Sequence, residues 1–178
     1  RVLFRSVYTN YPTAELFING KSYGKQSKNN SSLKSRYRLM WMDAVYEPGE
    51  VKVVAYNKDG KAVAEKTVRT AGKPHHIELV SNRNELTADG KDLAYVTVKV
   101  VDKDGNLCPT DSRLIHFSVK GAGKFRAVAN GDPTNLEQFH LPKMHAFHGM
   151  LTAIVQAGEI AGDLVLTAKR SEEHTSEL

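Results

Sequence analysis

Two segments of similar design constrain the fold of this chain most. Residues 51–63 (VKVVAYNKDGKAV) and residues 96–108 (VTVKVVDKDGNLC) each alternate apolar and polar residues before a Lys-Asp-Gly sequence. Alternation with period two gives a β-strand one apolar face, and Asp-Gly supplies the positive φ angles of a tight turn. Both segments are therefore predicted to be β-hairpins, and the pattern favours an all-β chain.

Similar alternation recurs along the sequence and divides it into two groups of strands. The first domain is predicted over residues 7–72 and the second over residues 73–169, each an immunoglobulin-like β-sandwich. The boundary lies in residues 70–74 (TAGKP), where glycine and proline interrupt the alternation. Strands are predicted at residues 14–18, 37–41, 51–56 and 62–68, and then at 76–80, 94–101, 114–119, 125–128, 150–156 and 163–168.

Two segments between the predicted strands differ in composition. Residues 25–35 (KQSKNNSSLKS) are polar and rich in Asn and Ser, which predicts an exposed loop. Residues 131–149 are too long for a hairpin turn and too rich in Phe, Met, Leu and His for a flexible linker. We expect this second segment to fold over an end or edge of the second sandwich. Its residues expected at an inter-domain interface are Phe139, Met144, Phe147 and His148.

Charge and hydropathy exclude two classes of partner. The 178 residues carry a formal net charge of +5, with Lys and Arg scattered among Asp and Glu. Because no basic block with interleaved aromatic residues forms, no nucleic-acid partner is expected. No segment reaches the roughly 18 uninterrupted apolar residues of a membrane helix, so no membrane span is predicted. The single cysteine, Cys108, has no activating neighbour in the sequence and is predicted to be a passive thiol.

The two ends of the chain are related at the level of DNA. Residues 1–6 (RVLFRS) and 170–175 (RSEEHT) can be encoded by reverse-complementary codons. This relation resembles the remnant of a sequencing adapter. We therefore expect residues 1–6 and 170–178 to be adapter-derived scars and exclude them from the fold prediction.

The sequence indicates no pair of catalytic carboxylates. Hydrolysis by a pair of carboxyl groups, one acting as the acid and the other as the base or nucleophile, needs the two groups to face each other across the substrate. Glu15, Glu47, Glu50 and Glu137 each occupy a predicted surface, turn or loop position, and nothing in their spacing pairs them. No catalytic residue is predicted.

Metal and cofactor sites are not indicated either. His140, His145 and His148 lie close together, but no Cys or paired carboxylate accompanies them at zinc-finger spacing, so a packed loop is favoured over a metal site. Residues 102–106 (DKDGN) lack the alternating ligands and the distal Glu of a calcium loop, and a hairpin turn explains them. We predict no metal and no cofactor.

Three aromatic residues of the first domain have two interpretations. Tyr37, Trp41 and Tyr46 could form a platform on which a sugar ring stacks. Tyr37, Leu39 and Trp41, however, share one parity of a predicted strand, as residues that face a core do. We favour burial of Trp41 in the core.

Several short motifs carry a resemblance to a known family. The chain resembles the C-terminal accessory domains of family-two glycoside hydrolases of the bacterial β-galactosidase type. The similarity covers nearly all of residues 7–169, and the order of the motifs makes it specific. The motifs of the first domain and of its junction with the second are residues 15–24 (ELFINGKSYG), 46–49 (YEPG) and 70–77 (TAGKPHHI). The motifs of the second domain are residues 88–101 (ADGKDLAYVTVKVV), 130–134 (NGDPT) and 146–149 (AFHG).

The resemblance implies a non-catalytic part of a larger enzyme. The family's catalytic carboxylates lie on a (β/α)8 barrel of roughly 250 residues, which this chain cannot contain. The implied partners are that barrel and other domains of the parent chain, together with homo-oligomer contacts and a glycan that ends in a β-galactoside or a similar sugar. The implied location of the parent is the periplasm, the cell surface or the medium.

Two functions from other classes stay open at this point. An independent carbohydrate-binding module would hold a polysaccharide on exposed aromatic side chains, and a cell-surface adhesin could be built from similar sandwiches. Exposure of Trp41 and its neighbouring tyrosines would favour the binding module. The coding sequence upstream of Val7 would separate the glycosidase from the adhesin.

Overall fold

The computed structural model describes residues 5–170, which form thirteen β-strands and one short helix. The predicted all-β class is therefore confirmed. The chain divides between Thr70 and Ala71 into two compact units. Of the predicted scars, only residues 5, 6 and 170 are described, and they belong to strands; the rest lie outside the described residues.

The first unit contains six strands and the helix. Their bounds are β1 (Arg5–Val7), β2 (Thr13–Ile18), β3 (Lys21–Ser27), α1 (Leu33–Tyr37), β4 (Leu39–Trp41), β5 (Glu50–Tyr56) and β6 (Ala62–Arg69). One antiparallel sheet has the order β3-β2-β5-β6, and a second ladder joins β1 to β4. The β5–β6 hairpin predicted from residues 51–63 is confirmed, with Gly60 at φ 77° in its turn.

The core of the first unit follows from the alternation of β2. Ala14, Leu16 and Ile18 point to one side of the strand and are almost completely buried. Leu39 and Trp41 of β4 pack against them. The period-two pattern of β2 and β4 thus supplies the two facing surfaces of one small hydrophobic core.

The structure corrects the prediction for residues 25–41. β3 extends to Ser27, and the helix α1 occupies residues 33–37, so Tyr37 ends a helix and not the first position of a strand. The helical turn is closed by a hydrogen bond from Arg36 N to Ser32 O of 2.9 Å. Such local polar contacts leave no apolar period in the sequence, which explains why the helix was not predicted.

The second unit is built from seven strands in two sheets. Their bounds are β7 (His76–Ser81), β8 (Leu93–Val101), β9 (Leu114–Gly121), β10 (Gly123–Ala129), β11 (Lys143–His145), β12 (Met150–Ala157) and β13 (Leu164–Arg170). The sheets have the orders β10-β12-β8-β7 and β11-β9-β13. A single core cluster draws on both sheets, with Val98, Ile115, Val128 and Ala153 fully buried, which is the layering of a β-sandwich.

The hairpin predicted at residues 96–108 forms only in part. Its turn is present, but the return segment makes a single bridge, Leu107 to Val101, and two main-chain hydrogen bonds of 2.9 Å, from Asp102 N to Asn106 O and from Cys108 N to Val100 O. The reason is that β8 already pairs with β7 on one edge and with β12 on the other up to Lys99. Only the end of β8 remains available to the returning chain.

Residues 131–149 lie at an edge of the second sandwich, as expected. β11 extends the three-stranded sheet by pairing with β9. Two further main-chain hydrogen bonds of 2.8 Å fix the segment, from Phe117 N to Pro142 O and from Val128 N to Phe139 O. Within residues 5–170, no helix has the length and apolarity to cross a membrane.

Candidate functional site

The side chain of Asn19 joins two turns of the first unit. Asn19 and Gly20 have φ angles of 51° and 79°, as a two-residue hairpin turn of type I′ requires. Asn19 Oδ1 accepts a hydrogen bond from Glu50 N (2.8 Å), and Asn19 Nδ2 donates one to Pro48 O (3.1 Å). Gly49 has a φ of 133°, which favours glycine, and a Cβ there would lie 2.0 Å from Asn19 Oδ1 and displace the Asn19 amide.

Thr70, the last residue of the first unit, is hydrogen-bonded to the same turn. Thr70 Oγ1 accepts a hydrogen bond from Gly49 N (3.0 Å) and lies 3.1 Å from the hydroxyl of Tyr46. Thr70 N donates to Gly49 O (2.8 Å). We call Asn19, Tyr46, Gly49 and Thr70 the Asn19 cluster. It contains parts of the ELFINGKSYG and YEPG motifs, and both motifs serve there to hold the main chain.

Glu15 is the carboxylate of the first unit with the most side-chain partners. It accepts hydrogen bonds from Ser22 Oγ (2.7 Å) and Tyr56 OH (2.9 Å), and Lys25 Nζ lies 4.0 Å from the centre of the Tyr56 ring. The bond from Ser22 contributes most to lowering the pKa of Glu15, and the bond to Glu15 raises the pKa of Tyr56. Glu15 is therefore held ionised, which does not suit a general acid.

The NGDPT motif of the second unit is a series of side-chain-stabilised turns. Asn130 Nδ2 donates to His145 O (3.0 Å), and Asn130 Oδ1 accepts from Asp132 N (3.0 Å). Asp132 Oδ1 accepts from Thr134 N (2.9 Å), a bond that is the main cause of its lowered pKa. The motif thereby anchors β11 to the loop that precedes it.

The AFHG motif forms the turn between β11 and β12. Phe147 and Met150 exchange two main-chain hydrogen bonds, and the residues between them, His148 and Gly149, have φ angles of 51° and 73°. A Cβ on Gly149 would lie 2.3 Å from Cys108 O. Glycine is therefore required by both the backbone angle and the close approach.

Asp102 is a buried carboxylate that holds two separate segments. Its side chain accepts hydrogen bonds from the amides of Gly72 (2.8 Å), Asp104 (2.9 Å) and Asn106 (2.8 Å). These bonds, the one from Gly72 first, hold the pKa of Asp102 far below its usual range. The predicted turn at residues 102–106 is confirmed, whereas its connection to Gly72 was not foreseen.

The predicted interface residues separate into one core residue and three others. Met144 is completely buried within the core cluster of the second unit, so its assignment to an interface was wrong: its place on β11 turns it inward. Phe139 is 54% exposed. The half-buried Phe147 ring lies 4.2 Å from the ring of the exposed His148. For these three residues the interface stays a prediction.

The predicted aromatic platform is not assembled as one surface. Trp41 is 1% exposed and donates its indole N–H to Gly24 O (2.9 Å), which confirms its predicted burial. The faces of this indole ring are covered by the core, so a sugar ring cannot stack on them. Tyr37 and Tyr46 are 62% and 43% exposed, but the Tyr46 hydroxyl belongs to the Asn19 cluster.

Neither the clustered histidines of residues 140–148 nor the Cys108 thiol lies in surroundings typical of a metal site or a reactive cysteine. His145 contacts Glu137 through its main-chain N (3.1 Å) and its ring Nδ1 (3.0 Å). In the described part of the chain, no three His, Cys, Asp or Glu side chains are grouped as metal ligands would be. Burial raises the pKa of the Cys108 thiol, which favours its neutral, unreactive form.

The ionisation of the carboxyl groups follows one trend. Between residues 5 and 170, each carboxyl group with a displaced pKa has it lowered, because main-chain or hydroxyl groups donate hydrogen bonds to it. These groups are Glu15, Asp89, Asp92, Asp102 and Asp132. A general acid needs the opposite displacement.

Comparison with known proteins assigns the second unit to a described family. Residues 77–178 match the glycoside hydrolase family 2 C-terminal domain 5, and residues 6–64 match a domain of unknown function, DUF4982. A curated relative, the β-galactosidase BoGH2A of Bacteroides ovatus, is 44% identical over 161 residues, which are 90% of this chain and 18% of the relative. The chain thus spans about a fifth of the length of that relative.

Two solved structures share the arrangement of strands. A glycosyl hydrolase family 2 member from Bacteroides cellulosilyticus has a TM-score of 0.81 and 34% identity, over 94% of this chain and 22% of that one. A β-glycosidase from Bacteroides vulgatus has a TM-score of 0.86 and 29% identity, over 96% of this chain and 21% of that one. The chain therefore belongs to the family of glycoside hydrolase family 2 C-terminal domain 5.

Proposed function

We propose that this chain is a non-catalytic accessory module of a glycoside hydrolase family 2 enzyme, where it supports the catalytic barrel and the substrate cleft. The observation that carries the proposal is the use of the motif side chains. Asn19, Thr70 and Asn130 direct their polar atoms to the main chain of their own unit. Groups committed in this way stabilise a scaffold, and each carboxyl group of residues 5–170 whose pKa is displaced has it lowered, which is the opposite of what a general acid needs.

The substrate of the parent enzyme is proposed from the relative's name alone. BoGH2A is called a β-galactosidase, so we propose a terminal β-galactoside as the substrate of the parent. The barrel, and not this chain, would supply the chemistry. Export of the parent to the periplasm or the cell surface is a further proposal, which fractionation of the source cells would test.

The accessory role can be tested with the chain alone and with the parent enzyme. The isolated chain is expected not to hydrolyse p-nitrophenyl β-galactoside and not to bind a galactan in isothermal titration. Deleting residues 7–169 from the parent is expected to lower its thermal midpoint and its kcat/KM. Hydrolysis by the isolated chain, or galactan binding by it, would overturn the proposal.

We further propose that Phe139 and Phe147 contact another part of the parent enzyme. Phe139 is a large apolar side chain with more than half its surface exposed on a fixed edge segment, which is typical of an interface. In the parent, Phe139→Ser is expected to lower the thermal midpoint more than it does in the isolated chain. Leu33→Ser, at a 78% exposed position on α1, is the matched control and is expected to act equally in both. Equal effects of Phe139→Ser in both proteins would reject the interface.

A further inference from the structure

Asparagine is followed by glycine at two places in the chain, once in each unit. The sequence contains ten asparagines, and of these only Asn19 and Asn130 precede a glycine. Asn19 belongs to the first unit and Asn130 to the second. Asparagine is a chemically labile residue, and a glycine after it has no side chain to hinder its main-chain nitrogen. Both pairs therefore have the sequence in which the main chain attacks the asparagine side chain most readily.

The reaction of such a pair is deamidation. The glycine nitrogen attacks Cγ of the asparagine, a new C–N bond forms, and Nδ2 leaves as ammonia with the proton that the glycine nitrogen gives up. Water then opens the resulting cyclic imide at one of its two carbonyl groups. The product is aspartate or isoaspartate, and either one adds a negative charge at neutral pH.

Hydrogen bonds turn the Asn19 side chain away from this attack. Oδ1 accepts from Glu50 N and Nδ2 donates to Pro48 O, so both amide atoms are committed to a neighbouring segment. The main chain of the turn is also fixed, since Asn19 N donates to Glu50 O (2.8 Å) and Ile18 pairs with Lys21. Asn19 is exposed, so water reaches it. Its protection comes from geometry, because an intramolecular reaction needs close and aligned atoms.

Asn130 is held by contacts of the same kind. Nδ2 donates to His145 O (3.0 Å), which ties the side chain to β11, and Oδ1 accepts from Asp132 N (3.0 Å). Asn135 Nδ2 donates a longer bond to the same Oδ1 (3.3 Å). Rotation of the Asn130 amide toward the nitrogen of Gly131 breaks these bonds. The attack thus requires that β11 first separates from the loop at residue 130.

The modified side chains cannot remake these contacts. At position 19 an oxygen takes the place of Nδ2 opposite the carbonyl oxygen of Pro48, and at position 130 it lies opposite that of His145. Two acceptors then face each other without a donor between them, which destabilises the folded state. Isoaspartate also adds an atom to the main chain, which a tight turn with φ angles of 51° and 79° at Asn19 and Gly20 does not accommodate.

We propose that Asn19 and Asn130 are deamidation sites that the folded chain protects, that each is opened by unfolding of its own unit, and that their modification makes this unfolding irreversible. When opening and closing are fast, the rate of such a reaction follows the population of the open form. Chemical modification of the unfolded chain is a common cause of irreversible unfolding. One labile pair in each unit gives each unit its own covalent record of unfolding.

The first test compares the folded and the unfolded full chain. Samples are incubated in mildly alkaline buffer with and without urea, and peptide mapping by mass spectrometry follows each asparagine. Asn19 and Asn130 are expected to react at least about a hundredfold more slowly without urea. Asn57, which precedes a lysine, is the control and is expected to stay largely unmodified in both samples. A smaller difference at Asn19 or Asn130 would overturn the proposal.

Two core substitutions test which unit opens each site. Trp41→Phe removes buried contacts of the first unit, and Val98→Ala opens a cavity in the second. Trp41→Phe is expected to speed the reaction of Asn19 roughly tenfold and to leave that of Asn130 unchanged, and Val98→Ala is expected to do the reverse. Neither substituted residue takes part in the side-chain bonds of either asparagine. Acceleration of both sites, or of neither, by one variant would overturn the proposal.

A third measurement tests irreversibility. The chain is held in urea for increasing times and diluted to refold, and its unfolding midpoint is then measured by circular dichroism. The fraction that regains the original midpoint is expected to fall in step with the modified fraction. The variant with both Asn19→Gly and Asn130→Gly lacks the two side-chain amides, so its midpoint, although lower from the start, is expected not to change with time in urea. An unchanged midpoint of the modified wild type, or an equal decline in the double variant, would overturn the proposal.

Discussion

At the scale of single residues, the polar side chains of the motifs act over long sequence distances. Asn19 contacts Pro48 and Glu50, and Asp102 contacts Gly72. Each hydrogen bond contributes only about 1 kcal/mol net, but leaving a buried donor or acceptor without a partner costs more. Substitution of these residues is therefore expected to affect stability well beyond their local turns.

The contribution of the Asn19 side chain can be measured with a glycine substitution. Asn19→Gly keeps the left-handed backbone and removes two hydrogen bonds, so the free energy of unfolding of the first unit is expected to fall by about 2 kcal/mol. Asn19→Asp retains the acceptor for Glu50 N and is expected to lose about half as much. Urea denaturation followed by circular dichroism measures both. Equal stability of the glycine variant and the wild type would show that the cluster contributes nothing.

The steric requirement at Gly149 can be separated from its backbone requirement. Gly149 and Gly131 both have positive φ angles, 73° and 76°, but only at Gly149 would a Cβ meet another atom, Cys108 O. Gly131→Ala is expected to cost about 1 kcal/mol for the left-handed backbone alone. Gly149→Ala is expected to cost about 3 kcal/mol or more, because the clash with main chain is added. Similar losses in thermal unfolding of the two variants would contradict the role of close approach.

At the scale of elements, the segment from α1 to β4 changes character within a few residues. Tyr37 ends the helix in solvent, whereas Leu39 and Trp41 are buried in the adjoining strand. The period-two pattern correctly placed Leu39 and Trp41 in the core. It failed at Tyr37, because a short helix held by local polar contacts leaves no mark on apolar periodicity.

Substitutions along this segment are expected to have very different costs. Trp41→Phe removes buried volume and the hydrogen bond to Gly24 O, so a loss of about 2 kcal/mol is expected. Tyr37→Ala, at an exposed position, is expected to change stability by less than about 0.5 kcal/mol. Guanidinium denaturation followed by far-ultraviolet circular dichroism compares the two variants. A larger loss at Tyr37 than at Trp41 would reject the assignment of the core.

At the scale of the whole molecule, the ionised carboxylates make stability depend on pH. Asp102 and Glu15 have pKa values below their ordinary ones, because hydrogen bonds favour their charged forms. A group whose pKa is lower in the folded state stabilises that state above the unfolded pKa, near 4, and loses this contribution as the pH falls toward the folded pKa. The chain is therefore expected to lose stability below about pH 4.

This pH dependence has a direct test and an internal control. The thermal midpoint of the wild type is expected to fall between pH 5 and pH 3. In Asp102→Asn the midpoint is expected to be lower at pH 7 and to fall less with acid, since one of the responsible carboxylates is gone. A wild-type midpoint that stays level or rises over this range would contradict the expectation.

The sequence by itself determined the all-β class, the positions of the long strands and the glycine-containing turns, since period-two alternation and backbone preference are local properties. The tertiary structure decided which local pieces meet. The contacting residues are separated by about 30 to 40 positions along the chain in three cases: Asn19 with Glu50, Asp102 with Gly72, and Gly149 with Cys108. The chain that returns after residue 106 pairs only with the end of β8, because β7 and β12 already occupy the two edges of that strand. Such contacts depend on the order and register of strands, which alternation alone does not specify.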